Sequence, residues 1–192
     1  MTTLVLGLLI FLGVHSVRIC ADGWRGRQLA RLGEMRWKVL YSLASIAGFV
    51  LLCWGYGQTR AAPMAVWNPP LWTYHVSALL TALAFILVAA SYVPGTRIKA
   101  AVGHPMVAGV KVWAFAHLLS NGRAGDVVLF GALMVWAALD FRAARRRDRA
   151  AGTRYAVGPY SRDAIAIAGG LAAWAGFAFF LHEWLIGVRP LG

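Results

Sequence analysis

The chain of 192 residues contains a succession of apolar runs, each about long enough to cross a lipid bilayer. A membrane-spanning helix needs about 20 consecutive, mostly apolar residues. The runs cover approximately residues 2–19, 39–57, 71–93, 104–121, 125–141 and 163–188. Only 14% of all residues are charged, whereas a soluble domain averages about 25%. The pattern predicts an all-α fold in which one polytopic membrane domain forms a bundle of about six transmembrane helices.

The basic side chains are concentrated in the segments that follow the first, third and fifth runs. The net charge is +12, which in a soluble protein would suggest nucleic-acid binding. In a membrane protein, loops rich in lysine and arginine remain on the cytoplasmic side. We therefore predict no nucleic-acid partner, a bilayer environment, and both termini on the non-cytoplasmic side. Part of the first basic segment, residues 28–38, is predicted to be an amphipathic helix lying in the interface.

Histidines inside the apolar runs are the residues best suited to chemistry. The chain has five: His15, His75, His104, His117 and His182. Ionisable side chains within membrane helices usually face the interior of the bundle, and neutral imidazole is a common axial ligand of haem iron. Histidines also serve as polar contacts between membrane helices. The sequence leaves both roles open.

His117 and His15 each have a polar neighbour on the same helix face. Asn121 follows His117 by one turn, and we expect its side chain to orient the imidazole, as residues behind metal ligands often do. Arg18 follows His15 by three residues, where it could bind a haem propionate or extend to the membrane interface. His75 and His182 lie near the predicted non-cytoplasmic ends of their runs.

Lys111 lies in the middle of an apolar run and shares a helix face with His104, seven residues earlier. A lysine at such a position needs an internal partner, a cofactor carboxylate or a water-filled cavity. Asp140 and Glu183 are the candidate structural partners. Three aspartates at predicted helix ends are expected to act as caps or boundary charges: Asp126, Asp140 and Asp163.

Five segments of the chain carry recognisable motifs: residues 12–18, 32–36, 40–43, 94–99 and 103–122, the last of which contains His-Pro-Met followed by Trp-Ala-Phe-Ala-His-Leu-Leu-Ser-Asn-Gly. These segments resemble the NnrU family of bacterial membrane proteins. The resemblance covers nearly the whole chain. It implies a multi-pass protein of the bacterial inner membrane, with periplasmic termini under the orientation above, and an association with nitrite and nitric oxide metabolism in denitrification.

The NnrU family is itself similar to zeta-carotene isomerase, a membrane enzyme that contains haem b. The sequence motifs that contain the haem-ligand histidines of the isomerase match the segments around His15 and His117. The resemblance therefore implies that these two histidines bind haem iron here. Ala114 stands where the isomerase has a cysteine, so a membrane isomerase similar to zeta-carotene isomerase is kept only as an alternative function. Counting residues from the predicted cytoplasmic ends places the two histidines roughly 10 Å apart in depth. We take His15 and His117 as the first choice and His75 as the reserve ligand.

Three functions follow as alternatives, and the sequence leaves open whether the protein is an enzyme. The first is a haem b protein that is redox-active or responds to nitric oxide, with Arg18, Asn121 and Lys111 as further cofactor-binding residues. The second is a membrane methyltransferase similar to those that modify isoprenylcysteine, although Arg97 lies too far from His104 to reproduce their Arg-His-Pro segment. The third is a non-enzymatic assembly factor with denitrification or respiratory partners in the membrane.

Overall fold

The computed structural model describes residues 1–190, which form helices joined by short connections and contain no β-strand. The helices are α1 (Thr2–Cys20), α2 (Asp22–Leu32), α3 (Glu34–Ala61), α4 (Leu71–Tyr92), α5 (Arg97–Val102), α6 (Pro105–Ser120), α7 (Ala124–Ala151), α8 (Tyr160–Gly176) and α9 (His182–Ile186). A π-helical turn, Phe177–Leu181, joins α8 to α9.

Five helical segments are long and apolar enough to cross a membrane: α1, α3, α4, α7 and the continuous segment Tyr160–Ile186. The remaining apolar helix, α6, has 16 residues and a length of about 24 Å, somewhat less than the roughly 30 Å of a hydrocarbon core. Large apolar side chains such as Leu43 and Ile46 are exposed on the outer surface, as expected where lipid is the solvent. The fold is therefore the predicted all-α membrane helix bundle.

The charged segments contribute more helix than the apolar pattern indicated. α3 begins at Glu34, five residues before the predicted run, and α7 continues ten residues past residue 141 through the arginine-rich block. Arginine and alanine are good helix formers, so a helix need not end where its apolar stretch ends. The first basic segment forms a helix at Asp22–Leu32 rather than at residues 28–38, because Gly33, with a φ of 80°, separates it from α3.

Close backbone contact joins α1 to α3. Added Cβ atoms on Gly7, Gly48 and Gly55 would each meet backbone atoms of the opposite helix. Small residues at such positions allow membrane helices to approach closely. The buried core beside this contact contains Leu4, Leu8, Leu52, Leu129 and Phe130, so that α1 and α3 pack together against α7.

A second set of contacts joins α4 to α6 and α8. The hydroxyl of Ser77 donates a hydrogen bond to the carbonyl of Ala116 at 2.7 Å, and the indole of Trp174 donates to Thr81 Oγ1 at 3.0 Å. Gly170 of α8 lies against the backbone of Ile86 in α4. These contacts bring α6 between α4 and α7.

Two of the three predicted boundary aspartates bond backbone groups near helix starts. Asp126 accepts a hydrogen bond from the Arg123 amide at 3.2 Å, and Asp163 accepts one from the Ile98 amide in the first turn of α5 at 3.1 Å. The prediction for Asp140 is wrong because α7 continues beyond it to Ala151. Asp140 lies inside the helix, with its carboxylate 3.9 Å from Arg147.

Candidate functional site

A cavity of about 1040 Å³ opens among α1, α3, α6 and α7, at the end of the bundle that carries the basic segments. Sites for cofactors and small molecules usually enclose about 300–1,000 Å³. The wall includes His15, Arg18, Arg25, Lys38, Tyr41, Lys99, His104, Trp136, Asp140, Arg147 and Asp148. Several helices that are distant in sequence thus contribute ionisable side chains to one cavity.

His15 reaches this cavity with one ring nitrogen already engaged. Its Nδ1 donates a hydrogen bond to the carbonyl of Phe11, one turn earlier, at 2.7 Å. In a neutral imidazole this leaves Nε2 unprotonated and able to act as an acceptor or a metal ligand. Nε2 has no protein hydrogen-bond partner within residues 1–190. The ring is held between aromatic side chains, with ring centroids 5.4 Å from Tyr41 and 5.9 Å from Trp136.

Tyr41 and Trp136 are site residues that the sequence analysis missed. They come from α3 and α7, and only the fold places them beside His15. Both also line the cavity. Their positions carried no separate signal in the sequence, because the chain has nine tryptophans and six tyrosines and membrane-interface belts account for many such residues.

The charges around the cavity leave two cations without a carboxylate partner. Glu34 pairs with Lys38 at 2.7 Å and Asp140 with Arg147 at 3.9 Å. Neither Arg18 nor Lys99 makes a salt bridge anywhere in the described part of the chain. Both line the cavity, which therefore suits a ligand that carries carboxylates.

His104 also lines the cavity, but its Nε2 is occupied. It donates a hydrogen bond to Asp148 Oδ2 at 2.9 Å, and the Tyr155 hydroxyl donates to the same oxygen at 2.8 Å. Burial and the hydrogen bond to the Asp148 carboxylate raise the pKa of Tyr155 to about 12. Tyr155 thus remains a proton donor at neutral pH, and the three side chains fasten the segment after α7 to the start of α6.

His117 lies elsewhere in the bundle and does not line the cavity. Its Nδ1 donates to the carbonyl of Trp113 at 2.9 Å, and its ring centroid is 4.5 Å from that of Phe130. His15 contacts Trp136, six residues further along α7. Six residues correspond to about 9 Å along a helix axis. The structure therefore does not bring His15 and His117 together at one depth.

The expected role of Asn121 is also different in the structure. Its side-chain amide donates a hydrogen bond to the backbone carbonyl of His117 at 2.9 Å, not to the imidazole. The second ring nitrogen of His117, like that of His15, has no hydrogen-bond partner in the part of the chain that the structure describes. Asn121 therefore stabilises the C-terminal turn of α6, where it follows the last helical residue, Ser120.

Neither proposed partner of Lys111 contacts it, so that prediction is wrong. Asp140 lies beside Arg147, and Glu183 accepts a hydrogen bond from Arg189. The Lys111 ammonium instead lies 5.1 Å from the centre of the Phe141 ring, within the range of a cation–π contact. Lys111 does not line the large cavity.

His75, the reserve ligand, is exposed on α4 and outside the cavity wall. Residues 1–190 contain no group of three or more His, Cys, Asp or Glu side chains that could hold a metal ion. An iron atom at this site would therefore need most of its ligands from a cofactor. Of the histidines predicted to bind haem, the cavity contains His15 alone.

A family model described as NnrU protein matches residues 3–190, nearly the whole chain. Comparisons with curated proteins and with solved structures found no match.

Proposed function

Because the chain belongs to the NnrU family, we propose that it is a haem b protein of the bacterial inner membrane that serves nitrite and nitric oxide metabolism. The observation that carries this proposal is His15, which lies in the wall of a cavity of cofactor size and whose Nε2 has no hydrogen-bond partner within residues 1–190. A haem bound there would supply one-electron chemistry and an iron that can bind nitric oxide.

The residues around His15 fit the parts of a haem. The hydrogen bond from Nδ1 to the Phe11 carbonyl holds the ring orientation. Tyr41 and Trp136 offer aromatic surface against which a porphyrin could pack. Arg18 and Lys99 are the unpaired cations that would bind propionates.

The pair of ligands implied by the resemblance fits less well than His15 alone. His117 packs against Phe130 outside the cavity. Along the axis of α7, Phe130 lies about 9 Å from Trp136, the residue that His15 contacts. One iron could not be held by two histidines that lie at such different depths. We therefore propose that His15 would hold a haem iron and that His117 serves in an interhelical, aromatic environment.

Replacing His15 by alanine is expected to abolish haem binding, since this histidine lines the cavity and keeps one ring nitrogen without a hydrogen-bond partner within residues 1–190. The protein would be produced with ample haem, purified in detergent and measured for a Soret band that shifts on reduction. His75→Ala is the matched control on an exposed surface, and His117→Ala is the control for loss of a buried imidazole. Both should retain the band.

Three outcomes would contradict this assignment. A colourless parent protein would remove the haem proposal altogether. An unchanged spectrum in His15→Ala would remove His15 as the ligand. A spectrum lost in His117→Ala but kept in His15→Ala would move the cofactor to the other half of the bundle.

The orientation of the chain forms the second part of the proposal. The basic segments, including the one after α7, are proposed to be cytoplasmic, and both termini periplasmic. The cavity would then open on the cytoplasmic side. Reporter fusions that are active only in the periplasm should be active at either terminus and inactive when inserted after Ala151. Activity at the inserted position alone would reverse the proposed orientation.

A further inference from the structure

A smaller cavity of about 520 Å³ lies against the last third of α7, apart from the one that contains His15. Its wall consists of Ile19, Leu139, Phe141, Arg142, Ala143, Arg145, Arg146 and Arg149. The four arginines follow at intervals of three, one and three residues, which places them along one face of the helix. The pocket thus combines a cationic stripe with an apolar wall.

The arginines of this pocket lack the partners that neutralise others nearby. The pocket wall contains no carboxylate, and none of its four arginines belongs to a salt bridge in residues 1–190. Arg147, which lines the larger cavity, does pair with Asp140. Arg142, Arg146 and Arg149 are exposed. Such a cluster of unpaired guanidinium groups favours a ligand with negative charge.

The position of the pocket along α7 identifies the kind of anion. A hydrocarbon core of about 30 Å is spanned by roughly 20 helical residues, which from Ala124 extends to about residue 143. Leu139 and Phe141 then lie at the level of acyl chains, Arg142 lies at the edge of the core, and Arg145, Arg146 and Arg149 lie at the level of the headgroups. A free anion would use only the cationic part of this wall.

We propose that the pocket formed by Ile19, Leu139, Phe141 and the four arginines of α7 binds an anionic phospholipid. The phosphate and headgroup lie against the guanidinium groups. The parts of the acyl chains nearest the headgroup lie against the three apolar side chains. Basic pockets at the cytoplasmic side of membrane helices are suited to such lipids. The proposal is independent of haem binding, since the pocket shares no residue with the cavity around His15.

The test uses the full chain purified in mild detergent, titrated with phosphatidylglycerol and observed by native mass spectrometry. The triple variant R142Q/R146Q/R149Q should bind this lipid at least about ten-fold more weakly, because each basic side chain near an anionic headgroup contributes about five-fold. Arg145 is left in place because it packs against Gly103. Phosphatidylcholine should bind the parent protein far more weakly, and millimolar inorganic phosphate should not displace phosphatidylglycerol.

The control variant R27Q/R31Q/R36Q removes the same charge from exposed positions of the other basic segment. It should bind phosphatidylglycerol within about two-fold of the parent. Equal losses of phosphatidylglycerol affinity in both triple variants would show that the lipid is held by general charge attraction, and this would contradict the proposed pocket. Equal binding of phosphatidylcholine, or displacement by phosphate, would also overturn it. Circular dichroism of the two variants checks that both are folded.

Discussion

Replacing Gly55 by leucine is expected to destabilise the bundle severely, because the new side chain would collide with the backbone of α1. A Cβ atom at this position would lie 2.6 Å from Leu4 Cα and closer still to the Leu4 amide nitrogen. Backbone atoms of a helix cannot rotate aside as a side chain can. Relief therefore requires α1 and α3 to separate.

Separation of these helices would expose buried core. Leu4 is 0% exposed and packs with Leu8 and Leu52 beside the contact. Overpacking of a tight interior costs about 1–3 kcal/mol and occasionally more, and a collision with main-chain atoms belongs at the upper end of that range. The free energy of unfolding, measured by titrating the detergent-solubilised protein with sodium dodecyl sulfate, should fall by about 3 kcal/mol.

Gly57→Leu is the matched control. It lies two residues further along the same helix, and a Cβ atom there has nothing within 4 Å. Leucine is more favourable than glycine in a helix by about 1 kcal/mol. This variant should therefore be as stable as the parent or slightly more stable. Similar losses in both variants would mean that α3 simply requires glycine for its own conformation, and the close approach to α1 would not explain them.

The same contact shows how far the sequence predicted the fold. The apolar runs located the membrane helices because lipid demands long stretches without charge. They did not identify which helices are neighbours, since every run is apolar on all sides. The glycines of α1 and α3 were scattered small residues in the sequence, and only the structure pairs Gly55 with Leu4. The limits of α3 and α7 were misjudged because arginine-rich segments also form helix.

Of the candidate site, the sequence predicted single residues but not the side chains that surround them on other helices. His15 was chosen as a histidine inside an apolar run and through the resemblance, Arg18 was chosen from its spacing to His15, and both line the large cavity. The depth offset between His15 and His117 followed from counting helical residues, and the contacts with Trp136 and Phe130 reproduce it. Pairings between helices, such as those expected for Lys111, depend on rotation of each helix about its axis, which a uniformly apolar pattern does not encode.

Replacing Asp126 is expected to cause the second large loss of stability, because two different groups donate hydrogen bonds to its carboxylate. It is 4% exposed, accepts a hydrogen bond from the Tyr56 hydroxyl at 2.7 Å and accepts another from the Arg123 amide at 3.2 Å. Asp126→Ala would leave the partly buried Tyr56 hydroxyl without its partner, which costs about 1–3 kcal/mol. It would also remove the bond at the start of α7, at a cost of about 1 kcal/mol.

The free energy of unfolding of Asp126→Ala, measured in the same titration, should therefore fall by about 2–4 kcal/mol. Tyr56→Phe removes the donor but keeps the bond to Arg123, so its loss should be nearer about 1 kcal/mol. In the double variant no Tyr56 hydroxyl remains to be stranded, and its loss should be smaller than the sum of the two single losses. Strict additivity would show that Tyr56 and Asp126 act independently, and the stability of this end of the bundle would then depend on the Arg123 bond alone.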